Sequence, residues 1–309
     1  MKKLTVLFFL CIIPFIANAT ISEMSFGKWN IKFDDETKRA EFVKEGVTVL
    51  KDVKIKFKNG DVLLDASSYN SVKIKQEDIV DEVGKARKFT IEYTGSENSD
   101  NPIVYQNFYL YDGQDYFLTD VILQSPDNSI ISSNYIAPIS TEADNLFLPA
   151  DVNNRFITVP FDNDGFITYA SYPLSCSQTD PESLAIGRVA RDSVSMEVSA
   201  IFNGETQLGL VIGSVDHDTW KSAVRITGSP LAQGKITNLE CFSGVTHHIT
   251  RDMIDGVLKP HGAVKGQQVK SARMIVHYSG DWRTGLETFG DVCCAIAPKR
   301  SWDKPAPYG

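Results

Sequence analysis

Val47-Thr48-Val49-Leu50-Lys51-Asp52-Val53-Lys54-Ile55-Lys56-Phe57 decides the fold class. Apolar residues take the odd positions and lysines fall mostly on the even ones, the period of two of a strand with one buried face. The pair Asn59-Gly60 closes it as a turn. Ser71–Lys75 and Phe89–Tyr93 alternate in the same way. Tyr105–Tyr111 and Tyr116–Leu123 flank Asp112-Gly113-Gln114-Asp115, and Ser195–Phe202 and Leu208–Gly213 flank Asn203-Gly204. Both arrangements are hairpin signatures. Arg273–Tyr278 reads as a further strand. The expectation is an all-β chain, a large antiparallel β-sandwich over residues 20–280.

Helical signals are scarce before the end. Trp282, Leu286, Phe289 and Cys293 share one face at helical spacing, with Asp281 as N-cap. Pro298, Pro305 and Pro307 then describe an extended connector. Residues 281–309 are therefore expected to be a short helix and a Pro-rich connector.

At the other end, Lys2 and Lys3, the apolar run Leu4–Ile16 and the small-x-small site Ala17-Asn18-Ala19 make a signal peptide of residues 1–19. The run is short of the ~20 residues needed to span a bilayer, and no later stretch is long and apolar enough. Export, to the periplasm or beyond, is expected, with no membrane span. The chain of 309 residues is 42% hydrophobic and 23% charged, as soluble globular proteins are. Its 31 basic and 39 acidic residues give a net charge of −8, and loss of Lys2 and Lys3 with the leader takes it to −10. Such a chain has no electrostatic reason to seek phosphate backbones, so no nucleic-acid partner is expected.

Chemistry-bearing motifs are few. Val159-Pro160-Phe161-Asp162-Asn163-Asp164-Gly165 is the most polar loop, and Asp162 and Asp164 could offer two carboxylates to a sugar hydroxyl or an ion. Asx-rich segments ending in Gly are also ordinary turn chemistry. Asp216-His217-Asp218 sets a His between carboxylates, either a base or a surface loop His. His247-His248 cannot chelate one metal as strand neighbours, and His261 and His277 lack ligand spacing. No metal and no cofactor are expected. Trp29, Trp220, Trp282 and Trp302 are candidate sugar platforms or core; periodicity assigns Trp29 and Trp282 to the core and leaves Trp220 and Trp302 open. Cys176 and Cys241 could bridge, while adjacent Cys293 and Cys294 read as buried small hydrophobes.

The second half carries a resemblance. Asn154-Arg155-Phe156-Ile157-Thr158-Val159-Pro160-Phe161-Asp162-Asn163-Asp164 is similar to a segment of bacterial melibiase-type α-galactosidases, a group of glycoside hydrolases. So are Glu197–Asn203, Gly209–Lys221, Gly285–Asp291 and the tail Ala297-Pro298-Lys299 with Pro305-Ala306-Pro307-Tyr308-Gly309. The match is specific over Asn154–Gly309 and loose before it. It implies an N-terminal β-supersandwich that ends just before a (β/α)8 barrel absent from this chain. The family's catalytic aspartates sit on that barrel and have no counterpart here, so no catalytic residue is carried over. The complete parent would be a glycoside hydrolase acting on α-galactoside-like carbohydrate; whether this chain is itself an enzyme stays open. Beside a barrel, Asp162, Asn163, Asp164 and Trp220 become candidates for the substrate entrance. The uncovered face would favour a homo-oligomer. The alternative is a free-standing carbohydrate-binding β-sandwich module.

Overall fold

The computed structural model describes residues 21–142, 146, 148, 151–159, 170–174, 193–228, 234–247, 258–260 and 262–298. Residues 1–19, expected to be a leader, and those beyond residue 298, expected to be a connector, lie outside them. Among the described residues the chain forms an all-β sandwich with one α-helix, near the C-terminal end.

The first sheet takes, in spatial order, Ile21–Phe26, Trp29–Asp34, Arg39–Lys44, Val47–Asn59, Ile136–Glu142, Ile236–Ser243, Ser222–Gly228 and Ser193–Met196. Val62–Asp65 adds to it by pairing with Val47–Asn59. The second sheet takes Ala170–Pro173, Asn154–Thr158, Val198–Asn203, Gly209–Ser214, Met274–Ser279, Tyr116–Gln124, Ile103–Tyr111, Lys85–Ser96 and Tyr69–Val80. Gln268–Lys270 pairs with Tyr116–Gln124 beside Met274–Ser279. Every pairing in both sheets is antiparallel.

The strand Val47–Asn59 contains the stretch whose alternation announced the fold, but its register against Arg39–Lys44 shifts twice, between Ala40 and Phe42 and between Phe42 and Val43. Ala40 faces Val53 while Phe42 faces Leu50, so the longer strand carries an extra residue there. Asp52 takes the left-handed conformation, φ 52°, and absorbs it as a bulge. Beyond the bulge Val53, Ile55 and Phe57 point inward, and before it Val49 and Leu50 are both buried.

Aromatic rings join the two sheets. Trp29 and Phe42 of the first meet Phe117 of the second edge-on, with centroids 4.8 and 5.0 Å apart. Phe33 meets Tyr93 the same way at 6.0 Å. Edge-to-face pairs set the positive ring edge against the negative ring face, a contribution of about 0.5–1.5 kcal/mol each beyond area burial. Trp29 is core, as its periodicity required.

The helix Trp282–Ile296 lies on the outer face of the second sheet, over Gly209–Ser214 and Met274–Ser279. Asp281 caps it, Oδ1 accepting from the Arg283 N–H at 3.0 Å. Trp282 stacks on Phe202 at 4.3 Å and donates its indole N–H to Gln207 Oε1 at 3.0 Å. Gly285 lets the helix approach. A Cβ there would stand 2.7 Å from Val211 Cγ2 and 2.8 Å from His277 Nδ1.

Two sequence expectations need correction. Ser195–Phe202 is not one strand: Glu197 is left-handed, φ 64°, and turns the chain from the first sheet at Met196 to the second at Val198. Cys241 is a free buried thiol, its Sγ 3.4 Å from Met274 Sδ, not one end of a bridge; Cys176 lies outside the described residues.

Candidate functional site

The edge hairpin Asn154–Thr158 with Ala170–Pro173 presents the polar loop, and the pair Thr158↔Ala170 is its base. Asp162, Asn163 and Asp164 themselves lie outside the described residues. Val159, at the loop's root, is fixed from two directions. Its N–H donates to Ser195 Oγ at 2.8 Å, and its carbonyl accepts from the Met196 N–H at 2.9 Å. The root therefore sits against the turning point at Glu197.

Around that turn the chain gathers groups distant in sequence. Glu197 donates its N–H to Ser222 O at 2.9 Å, and its carbonyl accepts from the Ser214 N–H at 2.7 Å. Gly213 permits the approach, since a Cβ there would stand 2.5 Å from Glu197 O. His217 follows. Its Nδ1 is 3.8 Å from Glu197 Oε1, and its Nε2 is 3.7 Å from Cys293 Sγ on the helix. The first separation is beyond an ordinary hydrogen bond. Beside it Arg273 holds Asp216 through Nε at 3.0 Å and Nη2 at 2.8 Å, adds its backbone N–H at 2.9 Å, and reaches Glu82 at 2.5 Å.

The electrostatics follow from burial and pairing. Burial alone would raise the Asp216 carboxyl, but the Arg273 side chain and N–H hold it below its ordinary value. Glu82 behaves alike, burial opposed by its own backbone N–H and by Arg273. Both carboxylates are thus ionised and committed to one guanidinium, a brace between the loop after Gly209–Ser214 and the turn near Glu82. Burial pushes the Cys293 thiol up to about 11, with Cys294, Glu197 and Asp216 adding to it. A thiol held protonated is a poor nucleophile near neutral pH.

Of the residues singled out in sequence, His217 and Cys293 come together, although 76 positions apart. Cys294 is exposed, not buried, because each helical step rotates the side chain by about 100°. Trp220 is 9% exposed, with its indole N–H donating to Lys270 O at 2.7 Å. A sugar platform needs an open ring face, and this ring is packed into the core. Trp302 lies outside the described residues. Arg273, Glu82 and Glu197 escaped the sequence reading; the only trace was a charge at the head of the apolar run Met274–Tyr278. Among the described residues no group of three or more His, Cys, Asp or Glu side chains is arranged to hold a metal, and no helix is long and apolar enough to cross a membrane.

No family model and no curated protein matches this chain. Solved structures do. An α-N-acetylgalactosaminidase, NagBb from Bifidobacterium bifidum, in complex with GalNAc, superposes with a TM-score of 0.54 at 11% identity, over 90% of this chain and 39% of its own. A glycoside hydrolase family 97 enzyme from Pseudoalteromonas sp. strain K8, in complex with acarbose, gives 0.51 at 10% identity, over 85% and 36%. The chain spans about two fifths of the length of these structures. Its fold is that of the N-terminal regions of glycoside hydrolases, as the resemblance in its second half implied.

Proposed function

We propose that this chain is the non-catalytic N-terminal β-supersandwich of an exported, α-galactosidase-like glycoside hydrolase whose catalytic barrel follows it. One observation carries the reading: a fold shared with glycoside hydrolases that are more than twice as long. The residues of Asn154–Gly309 that resemble melibiase-type enzymes favour α-galactoside-like substrates for the complete protein. In this reading the loop with Asp162, Asn163 and Asp164, rooted at the sandwich edge, borders the substrate entrance. Carbohydrate is then met through the parent enzyme, and the contribution of this chain is to hold the barrel and one wall of its approach.

The test compares two proteins on chromogenic α-galactosides and α-N-acetylgalactosaminides. One is the complete reading frame of the gene, and the other is residues 20–309 alone. The complete protein is expected to turn over and the shorter one to stay at background. Turnover by residues 20–309 through successive purification steps would sink the non-catalytic assignment. An inert complete protein would sink the parent enzyme, and sugar-dependent retention of residues 20–309 on galactoside resin would then favour a free-standing binding module.

A further inference from the structure

Tyr69–Val80 is the outermost strand of the second sheet. Its inner side pairs with Lys85–Ser96 in unbroken register, from Tyr69↔Ser96 to Val80↔Lys85. Among the described residues no strand pairs with its outer side. From Asn70 onward its side chains are exposed or half-exposed, Val80 at 76%.

A free edge is a row of unpaired N–H and C=O groups that invites another strand, and proteins blunt it by short length, bulges, proline or charge. The other sheet ends use the first and third of these. Ser193–Met196 and Ala170–Pro173 have four residues each, the latter ending in proline, and Ile21–Phe26 has six. Tyr69–Val80 has twelve residues with no proline, glycine or bulge.

Charge is present on it, but in a particular order. Lys73 and Lys75 precede Gln76, and Glu77 and Asp78 follow it. A two-fold axis normal to the sheet brings two such strands together antiparallel and keeps each side chain on its own face. With Gln76 on the axis, Lys75 faces the partner's Glu77, twice by symmetry. Val72 faces the partner's Val80, and Ile74 faces the partner's Asp78. Moving the axis to Lys75 sets it against the partner's Lys75, and parallel pairing in register sets every charge against its like. Opposite charges directly across a strand pair stabilise and like charges destabilise. Lys75, Glu77 and Asp78 already reach Glu92, Lys88 and Arg87 on the neighbouring strand at 2.7, 3.0 and 2.8 Å. Each remains well over half exposed and can accept a second partner.

We propose that two copies of this chain associate through the Tyr69–Val80 edges, with Gln76 on the two-fold axis, joining their second sheets into one continuous sheet. The occupant is a second copy because the order of charges along the strand is complementary to itself when reversed.

Sedimentation of the full-length purified chain should show a dimer. Glu77→Lys should weaken it by about tenfold in Kd, by setting like charges opposite one another, and adding Lys75→Glu in the same chain should restore it. In a Cys294→Ser background, Gln76→Cys should cross-link between copies with a short bifunctional maleimide, whereas Lys73→Cys, opposite the partner's Ile79, should not. All these positions are exposed, and unchanged melting temperatures would show that the variants fold. A chain that stays monomeric at the highest concentration reached overturns the proposal. So does a dimer indifferent to Glu77→Lys, or one that cross-links equally from either cysteine.

Discussion

Acidification tests the seam between the helix Trp282–Ile296 and the second sheet. His277 lies in that seam, 3% exposed, with Nδ1 unpartnered and Gly285 directly over it. Burial is the chief cause that lowers its pKa from 6.5 to about 4; Asp115 pulls it back up and Lys44 pushes it down. In the unfolded chain the same imidazole titrates near ~6.5. Below that pH the unfolded state takes up a proton that the folded state refuses. The stability carried by neutral His277 is therefore complete above pH 6.5, falls as the pH drops, and is gone once it passes below about 4. At roughly 1.4 kcal/mol per pH unit the loss amounts to roughly 3 kcal/mol. Asp115 and Asp216 also lose stabilising charge in acid, since both are held below their ordinary values. A variant must therefore isolate the histidine. His277→Leu keeps an apolar body of similar size and removes the titration. Urea unfolding of both proteins at pH 7, 5.5 and 4 should show the wild type losing about 3 kcal/mol more than the variant across that range. Parallel losses in the two proteins would refute the argument.

The Arg273 brace, the helix seam and the thiols each give a further expectation. Arg273→Met leaves the Asp216 carboxylate half-buried without its partner and should lower unfolding stability by about 3 kcal/mol in denaturant melts. Gly285→Val drives side-chain carbons toward Val211 and His277 and should expose the tryptophan of the stacked Phe202–Trp282 pair, read as a red shift of indole emission with the sandwich still folded. Native thiol labelling mapped by mass spectrometry should modify exposed Cys294 at once, half-buried Cys293 slowly, and Cys241 only after unfolding.

What was legible in the sequence was local. The hairpin Ile103–Tyr111 with Tyr116–Gln124 announced itself because alternation on both arms meets the turn Asp112–Asp115 with no long-range information needed. The helix was legible from Asp281 and the spacing of Trp282, Leu286, Phe289 and Cys293, all of which face the sheet or its apolar margin. The break at Glu197 was invisible because Ser195 to Ala200 alternates smoothly through it. A left-handed non-glycine residue, uncommon on steric grounds, is held there by hydrogen bonds from strands far along the chain. The bulge at Asp52 hid for the same reason. The meeting of His217 with Cys293, and of Arg273 with Asp216 and Glu82, is a product of strand order. No spacing within one segment encodes it.

That strand order also sets a timetable. Met274–Ser279 lies between Gly209–Ser214 and Tyr116–Gln124, at the middle of the second sheet, yet among the described strands it is the last to be made. Until it emerges, the parts of the sheet on its two sides have no ladder between them, and each presents an open inner edge. At roughly 5–20 residues per second, synthesis leaves that gap for about 8–30 seconds after Tyr116–Gln124 has been made. Pairings of such wide sequence separation are slow to close even once the chain is complete. The incomplete polypeptide is thus a split sheet awaiting a wedge, and chaperone binding in pulse-chase experiments should persist until Met274–Ser279 is available to pair.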